Sequence, residues 1–526
     1  MKQKIKHHIT GYRKIILPAA IILLMTTCTK KFEQINTDQN SIPTIGPAEI
    51  PFLFSSAQSA STIQWIYQDA QNLHADQYAQ YFTCTATSFP TDRLVVRLDW
   101  LISFYEAIYN YTVPQLQSIF EATEPDSPEY ALADVMWVFA FHKLTDYWGP
   151  IPYFNAGVPG ASVPYDAQDK IYDDFFKRLS AAVTVLKNNT NARPYGSFDL
   201  IYGGDVNKWI KFASSLRLRL ALRISKVDPA RAKTEAEAAY ADGVMMSSPD
   251  DDALIERSTK GDDVNGLSIM SDWNEFRMSA SMESVLKGYD DPRMKEYFLP
   301  AVATGTYEGI RNGLSVAQMG ETINDNDNNS HVGARWSSPA AGGIAEFLST
   351  PQNIMATAEA YFLRAEGAML GWNMGGTAKE LYEAGISNSM KQWGITDETV
   401  INNYINSTAT PVAPNDYFNS PPMTNIPVRF GATTDVQAEQ IATQKWLAVF
   451  PDGMEGWADY RRSHVLKLYP VVNSDNPDIT NPTTQWLRRI PFLLTERQVN
   501  GVEVEKAVEL LNGPDKTTTP LWWDKN

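Results

Sequence analysis

The residues that carry out most enzyme chemistry show no recognisable arrangement in this chain of 526 residues. It has no Walker-type phosphate loop, no GxGxxG fingerprint, no HExxH zinc motif, no CxxC pair and no GxSxG nucleophile elbow. Its 61 Asp and Glu residues offer many carboxylate pairs for glycoside hydrolysis, and the sequence singles out none of them. The histidines after residue 27 lie too far apart to show a ligand pattern: His74, His142, His331 and His464. The residue types and spacings therefore single out no catalytic centre, and glycoside hydrolysis by a carboxylate pair stays open at this point.

One short run of oxygen-bearing side chains has the spacing of a metal site. Asp325, Asp327 and Asn329 alternate along the chain, as oxygen ligands do at the start of a calcium-binding loop. The run lacks the glycine and the distal glutamate of an EF-hand, so the alternative interpretation is a solvated surface loop. A structural calcium ion is the one possible cofactor, and we predict no other.

The first 28 residues combine a basic segment, a short apolar run and a cysteine. The apolar run, Ile15 to Met25, has 11 residues, whereas a membrane-spanning helix needs about 20. This arrangement is typical of a secretory signal, and its end, Leu24 to Cys28, resembles a bacterial lipobox. We predict a lipoprotein signal peptide over residues 1–27 and lipidation at Cys28. The alternative is a secreted protein with an incidental cysteine.

The net charge limits the kinds of partner that the chain can bind, and the cysteine content limits how its fold is held together. The net charge of the whole chain is −16, and without residues 1–27 the 40 Lys and Arg face 61 Asp and Glu, a net charge of −21. Such a surface repels phosphate backbones, which argues against nucleic-acid binding. If Cys28 carries lipid, Cys84 has no partner for an intrachain disulfide, so the core must hold the fold together.

The rest of the chain is predicted to be mainly α-helical. We predict a lipid anchor and flexible tether over residues 28–48. Cys28 is the anchor, and the polar residues that follow it, with Pro43 and Pro47, indicate a tether. No linker interrupts residues 49–526, so we predict one domain there. Residues 245–351 are rich in Gly, Ser, Asn and Asp and predict irregular loops with short elements. Apolar periodicity predicts these helices: within 50–83, then 98–120, 130–147, 169–187, 206–225, 228–242, 352–371, 376–393 and 434–450.

Paired helices give the predicted fold class. Helices 352–371 and 376–393 make a pair of about 40 residues, similar in length to a tetratricopeptide repeat. Hairpins of this kind bury their apolar faces by stacking on one another. We therefore predict a mainly α fold with a tetratricopeptide-like helical-hairpin scaffold, a loop-rich part where function is expected to sit, and a few short strands.

Several stretches, in order over nearly the whole chain, resemble the SusD/RagB family of outer-membrane lipoproteins, in particular its SusD-like branch from Bacteroidetes. These stretches are Leu144–Tyr153 (LTDYWGPIPY), Leu200–Asp205 (LIYGGD), Lys208–Ala213 (KWIKFA), Asp291–Arg293 (DPR), Tyr361–Glu366 (YFLRAE), Trp457–Arg462 (WADYRR), Arg489–Pro491 (RIP) and Leu521–Asp524 (LWWD).

The resemblance implies a cell-surface lipoprotein, anchored in the outer membrane through Cys28 and facing the exterior. It would capture oligosaccharide or peptide and deliver it to a SusC-type TonB-dependent barrel, acting as a hinged lid. This is binding rather than catalysis, so the resemblance implies a protein that is not an enzyme. Glycan is favoured over peptide because the many aromatic residues suit stacking on sugars. The alternatives are a surface glycoside hydrolase or peptidase and a structural or adhesive scaffold.

The resemblance also implies that the helical-hairpin scaffold carries a loop-rich half that binds the ligand. In the family, ligand contacts come from loops after the first long helix and from the irregular middle, where aromatic faces cover sugar rings and polar side chains bind hydroxyls. The alternative for each tryptophan is burial in the core. Some family members bind calcium, which favours the loop at Asp325. The predicted ligand-binding residues are Arg93, Arg97, Trp100, Trp273, Asn274, Tyr307 and Trp336.

Overall fold

A computed structural model describes residues 46–62, 68–160, 162–259, 263–337 and 347–525. The chain divides into two units, Met1–Glu49 and Ile50–Asn526, and the elements below belong to the second. The predicted signal peptide, Cys28 and most of the predicted tether lie outside the described residues. Within the described ranges, no helix is both long enough and apolar enough to cross a bilayer.

Helices dominate the N-terminal half of the unit. Two π-helical segments, Gln68–Ala75 and Ala107–Thr112, extend the α-helices that they adjoin. The α-helices are α1 (Ile50–Ser61), α2 (Asp76–Tyr78), α3 (Leu98–Glu106), α4 (Val113–Ala122), α5 (Pro128–Trp148), α6 (Gln168–Lys187), α7 (Val206–Arg223) and α8 (Pro229–Asp242).

The bounds of α5 follow from local chemistry. Ser127 caps its first turn by accepting a hydrogen bond from the N–H of Tyr130, and Pro128 occupies the first helical position. The helix ends at Gly149, whose φ of 85° is easily adopted by glycine, and Pro150 follows. Nearly every side chain of α5 is buried, so this helix lies at the centre of the scaffold.

The middle of the chain contains short elements joined by loops, as predicted. Strand β1 (Phe82–Cys84) pairs antiparallel with β3 (Phe276–Met278), and β2 (Ala253–Ile255) pairs antiparallel with β4 (Gln352–Met355). The helices here are α9 (Gly266–Asp272), α10 (Ala280–Gly288), α11 (Met294–Tyr297) and α12 (Val316–Met319).

The C-terminal third returns to helices. The prediction of one helix over residues 352–371 was wrong at its start, because Gln352–Met355 pairs with β2 as a strand. The helices are α13 (Thr357–Met369), α14 (Ala378–Gln392), α15 (Glu398–Ile405), α16 (Thr434–Ala448), α17 (Gly453–Ser463), α18 (Leu494–Val499) and α19 (Gly501–Glu509).

Short 3-10 turns lie earlier in the chain, at Pro90–Arg93, Gly196–Phe198, Pro249–Asp251, Thr322–Asn324 and Asn326–Asn328.

Consecutive helices pack as pairs: α5 with α6, α7 with α8, and α13 with α14. The approach of α13 to α14 depends on small residues, since a Cβ added at Gly385 would lie 2.8 Å from the Phe362 ring. The prediction of a mainly α fold built from helical hairpins with a few short strands is confirmed.

Motif residues of the family resemblance lie inside this scaffold. Arg293 is fully buried and pairs with Asp291 at 2.6 Å. The Arg461 guanidinium lies 3.5 Å from the centroid of the Trp457 ring and donates a 2.8 Å hydrogen bond to the carbonyl of Asp146. These residues hold helices and loops together, so their role here is structural.

A buried ion network joins α7, α13, α16 and α17. Arg219 pairs with Glu359 at 2.6 Å, Arg223 with Glu455 at 2.5 Å, and Lys445 with Glu455 at 3.1 Å. All five side chains are at most 2% exposed. We call these five residues the buried ion network. Buried charges of this kind need partners, because removing them from water is costly.

Candidate ligand-binding site

Pairing between β1 and β3 brings two distant loops side by side. Phe82 lies opposite Met278 and Cys84 opposite Phe276, and the N–H of Thr85 donates to the carbonyl of Glu275 at 2.8 Å. The loop that follows β1 therefore runs beside the residues that precede β3, although they are far apart in sequence.

Three aromatic rings meet where these loops adjoin. Trp273 stacks on Phe89, with ring centroids 5.7 Å apart and planes at 11°, and Phe89 meets the edge of Trp100 at 5.9 Å. Trp273 is 37% exposed, while Phe89 and Trp100 are half-buried. We call Phe89, Trp100 and Trp273 the aromatic platform. Its exposed ring could cover the apolar face of a ligand.

Arg97 adds charge and hydrogen-bonding capacity at the platform. Its guanidinium lies 4.1 Å from the centroid of the Trp100 ring, a cation–π distance. The same group donates to both carboxylate oxygens of Asp99, at 2.9 and 2.5 Å, and this bond lowers the pKa of the Asp99 carboxyl. The platform thus carries an exposed, ionised Arg–Asp pair beside its rings.

A neutral histidine supports the platform from the protein interior. The His74 ring meets the edge of Trp100 at 6.0 Å and is fully buried. Burial lowers the pKa of His74 to about 4, so the ring is uncharged near pH 7. Its Nε2 accepts a long hydrogen bond of 3.4 Å from the N–H of Arg97, which helps fix the start of α3.

Asn274 follows Trp273 and shapes the loop. Its backbone has a φ of 60°, an uncommon conformation that asparagine tolerates better than most residues. Its side-chain oxygen accepts from Arg277 at 2.7 Å, and its carbonyl accepts from the side chain of Asn326 at 2.7 Å. Asn274 therefore holds Trp273 in place and links the platform to the loop around residue 326.

That loop contains the predicted calcium ligands. Asp325 and Asp327 are exposed and Asn329 is buried. The Asn329 amide donates to the carbonyls of Ile323 and Asp325, at 2.9 and 2.8 Å, and so closes the loop on itself. In the described part of the chain, no three His, Cys, Asp or Glu side chains are grouped as a metal site would require. The calcium site stays a prediction.

The other predicted ligand residues lie in different surroundings. Arg93 is 9% exposed and pairs with Asp475 at 2.5 Å, which ties the platform loop to the C-terminal part of the chain. Tyr307 is half-buried against the core. Trp336 is 4% exposed and packs against Trp393 and Phe450, with centroids 5.8 and 6.0 Å away. Among the described ring contacts, none joins Tyr307 or Trp336 to the platform.

Sequence reasoning missed Phe89 and His74. Phe89 is the one aromatic residue of the loop 85–93 and precedes Pro90, a signal that could have marked it. His74 carried no comparable signal, because its role depends on the packing of Trp100.

Comparison with known protein families shows which family the chain belongs to. The model for SusD-like proteins, described as Susd and RagB outer membrane lipoprotein, matches residues 31–524. The chain belongs to this family. No curated protein matches this SusD-like chain.

Solved structures agree with that assignment. A chitin-binding SusD homologue from Flavobacterium johnsoniae is 35% identical, with a TM-score of 0.81 over 91% of this chain and 99% of the other. A SusD-like protein from Bacteroides thetaiotaomicron is 32% identical, with a TM-score of 0.80 over 91% and 99%. A further chitin-binding protein is 26% identical, with a TM-score of 0.74 over 91% and 100%.

Proposed function

We propose that this SusD-like protein is a cell-surface lipoprotein that captures oligosaccharides and delivers them to a SusC-type TonB-dependent barrel. The observation that carries the proposal is the aromatic platform, with the exposed ring of Trp273 beside the Arg97–Asp99 pair. Stacked rings offer a flat apolar face, and the ion pair offers both donors and acceptors for hydroxyl groups.

The chemistry around the platform supports binding rather than hydrolysis. Asp99 is held ionised by Arg97, and His74 is buried with a pKa of about 4. A hydrolytic site needs a carboxylic acid that can donate its proton to the leaving group. The chitin-binding relative makes chitin-derived oligosaccharides the first ligands to test.

Delivery to a barrel would rest on the lipid and the tether. A lipid on Cys28 would keep the binding unit at high effective concentration beside a membrane partner, and residues 29–48 would give it enough slack to open as a lid. The acidic surface keeps the exposed unit soluble.

Binding without turnover is the first test. The purified chain should bind chitin-derived oligosaccharides in isothermal titration and release them unchanged, as judged by chromatography of the recovered sugar. A parallel panel of other glycans and of peptides establishes the ligand class. Hydrolysis that disappears on Asp99→Asn would contradict the proposal, as would binding of peptides alone.

The lipid anchor gives a second test. Cys28→Ala should leave oligosaccharide binding by the purified protein unchanged but abolish uptake by cells, because the protein is no longer held beside its barrel. Cys84→Ala is the matched control, since Cys84 is the other cysteine and is buried; uptake should persist in it. Normal uptake by Cys28→Ala cells would show that the anchor is dispensable.

A further inference from the structure

A cavity of about 440 Å³ lies among three separate parts of the fold. Its walls come from α3 with the π-helical segment that extends it, from the loop residues 152–160 and 162–163, and from α18 with its neighbours. Its volume is typical of small-molecule sites, which measure about 300–1,000 Å³. No residue of the aromatic platform is among the described residues that line it. We call it the tyrosine cavity, and its lining includes Tyr105, Glu106, Tyr109, Leu493, Glu496 and Val499.

Hydrogen bonds hold the walls of the tyrosine cavity together. The hydroxyl of Tyr109 donates to the carbonyl of Pro152 at 2.6 Å, which ties the π-helical segment to the loop. The side-chain amide of Asn500 donates to the carbonyl of Val163 at 2.7 Å, and its oxygen accepts from the N–H of Val163 at 3.1 Å. These bonds fix the loop against the residue that follows α18, so the cavity is preformed.

Aromatic and apolar side chains make up much of the lining. The rings of Tyr105 and Tyr109 have centroids 4.4 Å apart, with the planes at 40°, and both side chains are half-buried. Val499 is 72% exposed and therefore lies at the opening of the cavity. Tyrosine rings offer apolar surface to a hydrocarbon stem, and their faces attract cations.

The charge in the tyrosine cavity is entirely negative. Glu496 is half-buried and Glu106 is exposed, and the lining includes no Lys, Arg or His. Among the described ion pairs, none joins either carboxylate to a basic side chain. Arg497, the residue after Glu496, instead pairs with Glu505 and Asp515, each at 2.6 Å. Both carboxylates at the cavity are therefore free to pair with a cation from outside.

The Glu496 carboxylate lies among neutral tyrosines. The hydroxyl of Tyr165 donates to its Oε2 at 2.9 Å. Burial raises the pKa of Tyr105 and of Tyr109 well above the ordinary value, and the negative charge of Glu496 adds to the rise. Both hydroxyls stay protonated near pH 7. A carboxylate beside such rings attracts a positive charge more strongly than the same carboxylate in open water.

We propose that the tyrosine cavity binds a primary alkylammonium group, with the ammonium at Glu496 and the apolar stem along Tyr105 and Tyr109. An ammonium group donates three hydrogen bonds and accepts none, which suits carboxylates and tyrosine rings with no basic side chain among them. An anion would meet two negative charges here. A free amine or the lysine side chain of another molecule could bring the group. This inference stands on the cavity alone and goes beyond capture at the platform.

Amines and their neutral counterparts test the proposal on the purified full-length chain. 1,5-Diaminopentane and Nα-acetyl-lysine methylamide are titrated separately by saturation-transfer NMR. Their neutral counterparts, 1,5-pentanediol and Nα-acetyl-norleucine methylamide, have stems of similar length without the ammonium. At least one amine should bind, at least tenfold more tightly than its neutral counterpart. The amine that binds more tightly distinguishes a free amine from a lysine side chain as the source.

Two variants remove one charge each from the cavity. Glu496→Gln should weaken binding of the amine about tenfold, since the amide oxygen can still accept from Tyr165 but carries no full charge. Glu106→Gln changes an exposed side chain and should weaken binding about threefold. Glu509→Gln is the matched control, because it makes the same change at an exposed carboxylate on α19 that does not line the cavity; binding should be unchanged.

Four results would overturn the proposal: binding of neither amine, equal binding of an amine and its neutral counterpart, unchanged binding in both cavity variants, or an equal loss in Glu509→Gln. Should Glu496→Gln not fold, unchanged binding in Glu106→Gln overturns it alone. Oligosaccharide binding should persist in both cavity variants, since neither residue belongs to the aromatic platform. Failure at the tyrosine cavity is therefore distinguishable from failure of the proposed capture function.

Discussion

Replacing Glu455 with Gln should lower the free energy of unfolding by about 3–5 kcal/mol, the loss typical of removing one partner from a buried charge cluster. The Glu455 carboxylate lies 2.5 Å from Arg223, 3.1 Å from Lys445 and 3.5 Å from Arg219. With a neutral amide in its place, these three cations stay buried with less anionic charge to balance them. The effect is large because water cannot reach the network to compensate.

Chemical denaturation measures this loss, and a surface pair serves as the control. Glu383→Gln on α14 makes the same chemical change at an exposed ion pair with Lys379, 3.7 Å away, and should cost less than about 1 kcal/mol. A similar loss of unfolding free energy in Glu455→Gln and Glu383→Gln would show that the buried ion network stabilises the fold no more than a surface ion pair does.

The difference in unfolding free energy between wild type and Glu455→Gln should depend on pH, which gives an independent check. Burial by itself raises the pKa of Glu455, but Arg223, Lys445 and Arg219 together bring that pKa well below its ordinary value. A depressed pKa in the folded state contributes stability above the unfolded value, about 4.3, and this contribution is lost as the pH falls further. The gap in unfolding free energy between wild type and Glu455→Gln should therefore narrow below about pH 4.

The buried ion network also shows what the sequence could and could not predict. The spacing of four residues between Arg219 and Arg223 places both side chains on one face of α7. Their acidic partners could not be predicted, because Glu359 is 140 residues from Arg219 and Glu455 is 232 residues from Arg223. Only the packed helices bring them together.

Local signals placed most of the predicted helical segments within a few residues of the observed bounds. The stop of α5 at Gly149 and Pro150 and the cap of α7 at Asp205 follow from neighbouring residues alone. Strand β4 could not be predicted in this way, because its pairing with β2 is a long-range contact. Periodicity therefore extended α13 back over the strand.

The candidate site, too, could be predicted only in part from the sequence. Trp100 and Trp273 were predicted as ligand residues, but the sequence could not show that Phe89 lies between them, since this depends on the pairing of β1 with β3. Trp336 was also predicted as a ligand residue, and it packs inside the structure. Tryptophan is used both for burial and for stacking on ligands, so residue type alone does not separate the two roles.

Removing both tryptophans of the aromatic platform should weaken oligosaccharide binding about a hundredfold. Each ring lost from a stacked contact is expected to cost about 1.4 kcal/mol, or tenfold in affinity. The exposed ring of Trp273 would lose direct stacking, and the loss of Trp100 would also free Arg97 from the position it holds 4.1 Å away.

Phe154→Ala is the control for this double variant. Phe154 is 52% exposed and its ring contacts Tyr153, whereas no described ring contact joins it to the platform. The variant removes a comparable exposed aromatic ring from another part of the surface. Thermal melting of both variants shows whether the fold is kept.

The most direct measurement is isothermal titration of the same chitin-derived oligosaccharide, or of the glycan that wild type binds most tightly, into wild type, Trp100→Ala/Trp273→Ala and Phe154→Ala. We expect binding by wild type, unchanged affinity in Phe154→Ala, and an affinity about a hundredfold lower in the folded double variant. Wild-type affinity in the double variant, or an equal loss in Phe154→Ala, would contradict capture at the aromatic platform.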